Sequence, residues 1–340
     1  MNALATNSFD LPRLGAAFRL PGDFASAEPW GSGHINDTFR ATWGGNGEPR
    51  RYIHQRINDH VFPDPQAVMR NIAAVTGHVR TKLEAAGTDD LDRRVLTLVP
   101  ARDGRDFHVD AEGHYWRTYL FVEKSRSVDL MEGSGQAFKA GRAFGEFLVL
   151  LSDYDGPRLV ETISGFHDTP RRFANFVRAL EKDAQGRAAG CQAEATALLA
   201  TEKQAGAIAA LHDRGLLPER IVHNDTKLNN LLLDEQTGEP LCVIDLDTVM
   251  PGYALHDFGD LVRTGAARAT GSATGSWFAG STRLTAPNAS IANATAIVNL
   301  VRIIIPPTPV VSDKTDAGIA APTEPKRIAR STSAADATAP

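Results

Sequence analysis

The chain reads as an α+β protein of two lobes, the first mostly β with one helix and the second mostly α, and three observations predict this. Short strand-like runs fill residues 1–122 around one long amphipathic pattern. Helical periodicities dominate residues 138–212. Between 221 and 261 a stretch of short apolar runs carries His223, Asp225, Lys227, Asn230, Asp245, Asp247, Asp257 and Asp260. Strands followed by helices, rather than strict alternation, mark an α+β layout.

The first lobe begins with Gly31-Ser32-Gly33, set between one strand and the alternating run Thr38, Phe39, Arg40, Ala41, Thr42, Trp43. Glycines at such a turn let backbone N–H groups approach a phosphate closely, although a plain hairpin turn has the same composition. Asn36 stands where a dinucleotide fingerprint needs its third glycine, and no GxxxxGK[ST] occurs. Residues 51–57 predict a further strand, the Pro63-Asp64-Pro65 break ends it, and 66–86 predicts a helix. In that helix Val68, Ile72, Val75, Val79 and Leu83 recur at three and four residues, which buries one face. Strands are expected over 94–99, 106–109 and 115–122, with a turn at Asp103-Gly104.

A polar, glycine-containing linker, 123–135, leads to helices expected over 138–151, 171–180 and 193–212. Asp168 or Thr169 is placed to cap the second of these, with Pro170 in its first turn. The expected division is therefore 1–122, 123–266 and a tail, 267–340, where Ala, Thr, Ser, Pro and Gly take over. The tail reads as foreign to the rest, as a shifted reading frame would produce, and is expected to be disordered or poorly packed.

Composition narrows the function. A net charge of -5 provides no basic face for nucleic acid. Cys191 and Cys242 lie far apart, so neither a disulfide framework nor a cysteine-ligated metal is expected, and a reducing cytoplasm suits the chain. No apolar run of about eighteen residues occurs and the N-terminus lacks a signal pattern, so membrane spanning and secretion are not expected.

The chemistry concentrates in 221–261. Residues 230–233 and 241–244 flank an Asp-Glu-Gln-Thr-Gly turn and predict a β-hairpin, which sets the polar residues at strand ends and in the preceding loop. Phosphoryl transfer needs a carboxylate to orient and deprotonate a hydroxyl, and an Asn and an Asp to hold Mg²⁺ against nucleotide phosphates. Asp225, Asn230 and Asp245 occur in the order in which protein kinases carry those groups. Lys227 is within reach of a transferred phosphate. Asp247 is either a ligand of a second Mg²⁺ or a cap for the Thr248 loop; Asp257 and Asp260 are expected to brace the loop through backbone N–H groups. His223, grouped with the catalytic residues, is expected to position the Asp225 loop more than to carry protons. Each residue alone also fits a turn cap; the ordered set points to a site.

The order of glycine loop, strand with Gln55-Arg56, helix, strands, helical lobe, HNDTKLNN and VIDLD resembles the aminoglycoside phosphotransferase and choline kinase superfamily, whose fold is protein-kinase-like. GSGHINDTF, QRIN, HVFPDP, FHDTPRR, NDTKLNNLLLD and VIDLDTVMPG are similar to the N-acetylhexosamine 1-kinase group, over residues 10 to 266. The resemblance implies transfer from ATP, with Mg²⁺, to the anomeric hydroxyl of an N-acetylhexosamine. It also implies Asp225 as base, Asn230 and Asp245 as metal ligands, and Gly31 and Gly33, with Ser32 between them, as a loop over the phosphates. Segment 121–123, with Phe121 and Glu123, becomes a hinge against adenine. Gln55 replaces the strand lysine of protein kinases, and either Gln55 or its neighbour Arg56 is a candidate for the phosphate. The helix that follows has no acid before Glu84, so the usual Lys-Glu pair is not evident. His167 and Arg171 are candidates for the acceptor. Other readings are a kinase for another small alcohol or aminoglycoside, a catalytically impaired nucleotide-binding protein, and a metal-dependent hydrolase, against which the glycine loop and Lys227 argue.

Overall fold

The computed structural model describes residues 9–31, 33, 35–45, 48–130 and 133–266. Ser32 and the whole tail, 267–340, lie outside the described residues, and so does the expectation of a disordered tail. The fold is mixed α+β, sheet-rich first and helical afterwards, as the order of patterns predicts.

After a short helix α1 (Leu11–Ala16), a five-stranded antiparallel sheet forms in the order β1-β2-β3-β5-β4. Its strands are β1 (Asp23–Pro29), β2 (Asp37–Gly44), β3 (Arg50–Arg56), β4 (His108–Val109) and β5 (Tyr115–Leu120). The register sets Thr38 opposite Gln55 and Gln55 opposite Arg117, so these three side chains form one row across the sheet. Helix α2 (Pro65–Ala85) starts one residue before the expected helix, because Asp64 caps it by accepting from the Ala67 N–H at 2.9 Å. Its buried face of Val68, Ile72, Val75 and Val79 shares one core with Tyr119 of β5 and with Leu246 and Val249 beyond.

Segment 94–99 is not a strand. It makes one isolated bridge, Leu98 to Tyr119, and lends β5 two flanking hydrogen bonds, Val99 N to Thr118 O and Leu120 N to Thr97 O. Its β-favouring composition met only the short free edge of β5 beyond β4.

The later elements are β6 (Ser125–Arg126), α3 (Ser134–Leu150), α4 (Thr169–Lys182), α5 (Gln192–Leu199), α6 (Glu202–Ala205), α7 (Ala207–Asp213), β7 (Arg220–Val222), β8 (Leu231–Asp234), β9 (Pro240–Val243), β10 (Met250–Gly252) and α8 (Ala254–Ala266). The expected linker holds β6, which pairs with β8. The single helix expected over 193–212 is three short ones. At Thr201 the backbone N–H turns to Leu198 O, three residues back, and Gly206 parts α6 from α7. Asp168 caps α4, accepting from Arg171 N at 2.9 Å. Among the described residues no helix is long and apolar enough to cross a membrane.

Candidate active site

Residues 223–230 connect β7 to the β8–β9 hairpin, and several buried bonds hold this loop. The Asp257 carboxylate at the start of α8 accepts from the backbone N–H groups of His223 at 2.9 Å and Asn224 at 2.7 Å. Asn224, in the left-handed conformation at φ 66°, donates its side-chain amide to Thr248 O at 2.9 Å, and the Thr248 hydroxyl donates to His223 O at 2.8 Å. β7 pairs with β10 beneath the loop, where a side chain at Gly252 would strike Val222 at 2.7 Å. His223 is wholly buried, edge-on to Phe144 and Phe147. Its Nδ1 accepts from the Asp225 N–H at 3.3 Å, which leaves Nε2–H to donate to Ile244 O at 2.9 Å. Both ring nitrogens are therefore engaged with backbone.

This bracing brings three predicted residues together. Asp225 Oδ2 lies 2.8 Å from Lys227 Nζ and accepts from Asn230 Nδ2 at 3.0 Å. The same amide nitrogen donates to Asp225 O at 2.8 Å, so Asn230 turns its oxygen away from Asp225. Burial works against the charge of Lys227, but the Asp225 and Asp245 carboxylates outweigh it and raise its pKa.

Asp245 follows β9 in the left-handed conformation, φ 60°. A non-glycine residue held there is strained, and such strain clusters at functional sites. No hydrogen bond to its carboxylate occurs among the described residues. Burial first, then the neighbouring Asp247 and Asp225, push its pKa up to about 7. A half-buried carboxylate without a donor, with the Asp225 and Asp247 charges close enough to act on it, is a hard oxygen group suited to Mg²⁺.

Asp247 is buried and both its oxygens are taken, Oδ2 by Asn36 Nδ2 at 2.7 Å and Oδ1 by Arg117 Nη1 at 2.5 Å. Gln55 and Arg56 point to different environments, as neighbours on a strand must. Gln55 joins Thr38 and Arg117, whereas Arg56 ion-pairs with Asp37, its Nε donating at 2.7 Å, and lies over Phe9. Gly31 has φ 83°, and a Cβ at Gly31 or Gly33 would meet nothing within 4 Å, so this backbone stands open to a ligand. The Phe121 ring sits edge-on to Trp30 at 5.6 Å, with Arg51 over it, and Glu123 pairs with Arg51.

A cavity of about 300 Å³ lies on the other side of Asn224, lined among others by Glu161, His167, Asp168, Glu219, Tyr253 and His256. His167 Nε2 donates to Asn224 O at 2.9 Å and its ring lies tilted against that of His256, with centroids 4.4 Å apart. Burial lowers the pKa of His167 and takes that of His256 down to about 4, which favours the neutral form of each ring. Arg171 is separated from this group: its guanidinium donates to Ser164 O at 2.8 Å and Gly165 O at 3.3 Å, closing the turn before α4. Sequence reasoning missed Arg117, Asn36, Tyr253 and His256. The one available signal was a lone arginine inside the aromatic run YWRTYL.

An open glycine backbone on the sheet, joined through Asn36 to Asp247, and a carboxylate–lysine contact at Asp225 are parts that phosphoryl transfer to a hydroxyl uses. The chain belongs to the phosphotransferase enzyme family, whose model matches residues 26–287, and is a phosphotransferase with a hydroxyl acceptor. The match runs past Gly265, near which the resemblance was expected to stop. Among solved structures, an aminoglycoside phosphotransferase from Alicyclobacillus acidocaldarius is 14% identical with a TM-score of 0.46, covering 74% of this chain and 70% of that one. A choline kinase from Streptococcus pneumoniae is 14% identical with a TM-score of 0.39, over 70% of this chain and 68% of that one. An ethanolamine kinase from Plasmodium vivax is 12% identical with a TM-score of 0.43, over 70% and 61%.

Proposed function

We propose that the chain transfers the γ-phosphoryl of ATP, with Mg²⁺, to the anomeric hydroxyl of an N-acetylhexosamine. The observation that carries the reading is the convergence of Lys227 and Asn230 on Asp225 Oδ2. Asp225 accepts the acceptor's proton as its oxygen attacks; Lys227, the nearest cation, faces the charge of the moving phosphoryl group. Asn230 and Asp245 hold the metal, which when bound neutralises charge on the phosphates. Asp247, with both oxygens taken, has a positioning role, and so does His223, whose ring hydrogen bonds hold the Asp225 loop.

Gly31 and Gly33 cover the phosphates, and 121–123 borders the base. Residues 1–122 form the nucleotide-binding lobe and 123–266 the lobe that carries the acceptor. The cavity beside Asn224 has the size of a small-molecule site. Carboxylates at Glu161, Asp168 and Glu219 suit sugar hydroxyls, and the Tyr253 and His256 rings suit a sugar face. His167 lines this acceptor site, while Arg171 supports it by closing the Ser164–Gly165 turn. The exposed free Cys191 fits a reducing cytoplasm.

A second reading keeps the chemistry and changes the acceptor: rings beside Glu161 and Glu219 also suit the cation of an amino alcohol or aminoglycoside. ATP consumption by purified protein with N-acetylglucosamine, N-acetylgalactosamine, choline, ethanolamine and an aminoglycoside separates the two. Turnover with an N-acetylhexosamine, yielding an anomeric phosphate by ³¹P NMR, is expected. Turnover only with amino alcohols or aminoglycosides overturns the sugar assignment, and none with any acceptor overturns both.

A further inference from the structure

A continuous polar chain runs from the sheet to the 246–248 turn that follows the β8–β9 hairpin. Thr38, Gln55 and Arg117 are register neighbours on β2, β3 and β5. Gln55 Nε2 donates to Thr38 Oγ1 at 2.9 Å, while Gln55 Oε1 accepts from Arg117 Nε at 2.9 Å and Nη2 at 2.6 Å. The remaining arm of the guanidinium donates to Asp247. Asp247 accepts in turn from Asn36, whose amide oxygen takes the Asn58 N–H at 2.9 Å, and Asn36 lies three residues after Gly33. Arg117 is 1% exposed and Asp247 2%, so their pair is shielded from water and salt.

Gln55 suits this row for a physical reason. A glutamine can donate to Thr38 and accept from Arg117 at once; a lysine there would donate only and would press a second cation against the guanidinium. The planar fork fixes three bonds in one orientation, which an ammonium cannot do.

We propose that Arg117, clamped by Gln55, is the positioning cation of the nucleotide–metal site: it holds Asp247 and, through Asn36, fixes the glycine loop relative to the Asp245 loop. It takes the place on β5 that the missing strand lysine leaves on β3. The inference rests on the reading of this site as the nucleotide site. No step in the chemistry passes through Arg117 itself.

The test uses the full chain with Arg117→Lys and Gln55→Leu, the latter leaving the ion pair in place. Melting temperatures establish that each variant folds. Calorimetric titration with Mg·ATP is expected to show affinity at least tenfold weaker in Arg117→Lys and severalfold weaker in Gln55→Leu. Without nucleotide, amide hydrogen exchange is expected to rise together at 35–37 and 245–248. Lysine at 117 restoring the affinity to within twofold would mean that charge alone suffices, and overturns the proposal. Exchange that rises at one loop and not the other also overturns it. Should Arg117→Lys not fold, Gln55→Leu decides on the same two readouts. If the unsubstituted chain does not bind Mg·ATP, the nucleotide reading fails, and joint or separate exchange at the two loops still decides the coupling.

Discussion

The side proposed to handle the phosphates and the side proposed to hold the acceptor are built by different means. Around Asp225 and Asp245 nearly every polar group meets a partner fixed by strand register or a buried carboxylate, as in the pairs Arg117–Asp247 and His223–Ile244. Helices α4, α6 and α7 contain no fully buried residue, and α5 buries only Ala195. Transferring a phosphoryl group demands fixed geometry, whereas recognising one small alcohol among many demands a surface that can change. Rigidity has been spent on the invariant part of the reaction.

Substitutions at the two sides should therefore differ in size. Asp225→Asn is expected to lower turnover by about 10²–10⁴-fold while nucleotide binding persists; calorimetry beside a coupled ATP assay checks it, and near-normal turnover removes the base from Asp225. Arg117→Met leaves Asp247 buried and unpaired, and is expected to cost about 3–5 kcal/mol in denaturant unfolding. On the half-covered α4, Phe176→Ala is expected to cost less than about 1.5 kcal/mol in the same experiment. Equal losses would erase the contrast.

Two carboxylates sharpen it through pH. Asp245 and Asp257, raised by burial to about 7 and about 6, keep protons in the folded chain that the unfolded chain has released. Each adds stability that is complete below the ordinary carboxylate range and is lost as pH rises through those values. Melting temperature without metal should fall between pH 5 and pH 8. On the proposed function Mg²⁺ binds ionised Asp245, and its affinity should then weaken by up to about tenfold per unit below pH 7. A pH-independent Mg²⁺ affinity would exclude Asp245 as the ligand. The smallest effect is expected at the cavity, where His167→Ala should raise the acceptor KM severalfold and leave nucleotide affinity unchanged.

What could be read from the sequence follows the same division. The hairpin, α2 and the approach of Asn230 to Asp225 were legible because local periodicity and short spacing encode them. Arg117 was hidden because its partners, Gln55 and Asp247, are 62 and 130 residues away, the first brought to it by strand register and the second by the packing of the 246–248 turn beside the sheet. The helix expected over 193–212 came apart because alanine-rich composition favours helix at every position and marks no ends, while Thr201 and Gly206 interrupt it locally.

The Asp257 clamp sets a lower limit on how short this protein can be. Every side chain assigned to the chemistry lies before residue 248, yet the carboxylate that holds the His223–Asn224 backbone comes from α8, nine residues further on than that boundary. A polypeptide ending between the two would keep all its reactive groups and lose their alignment. Fusion junctions, early stop codons and proteolytic nicks upstream of Asp257 should therefore give inactive protein.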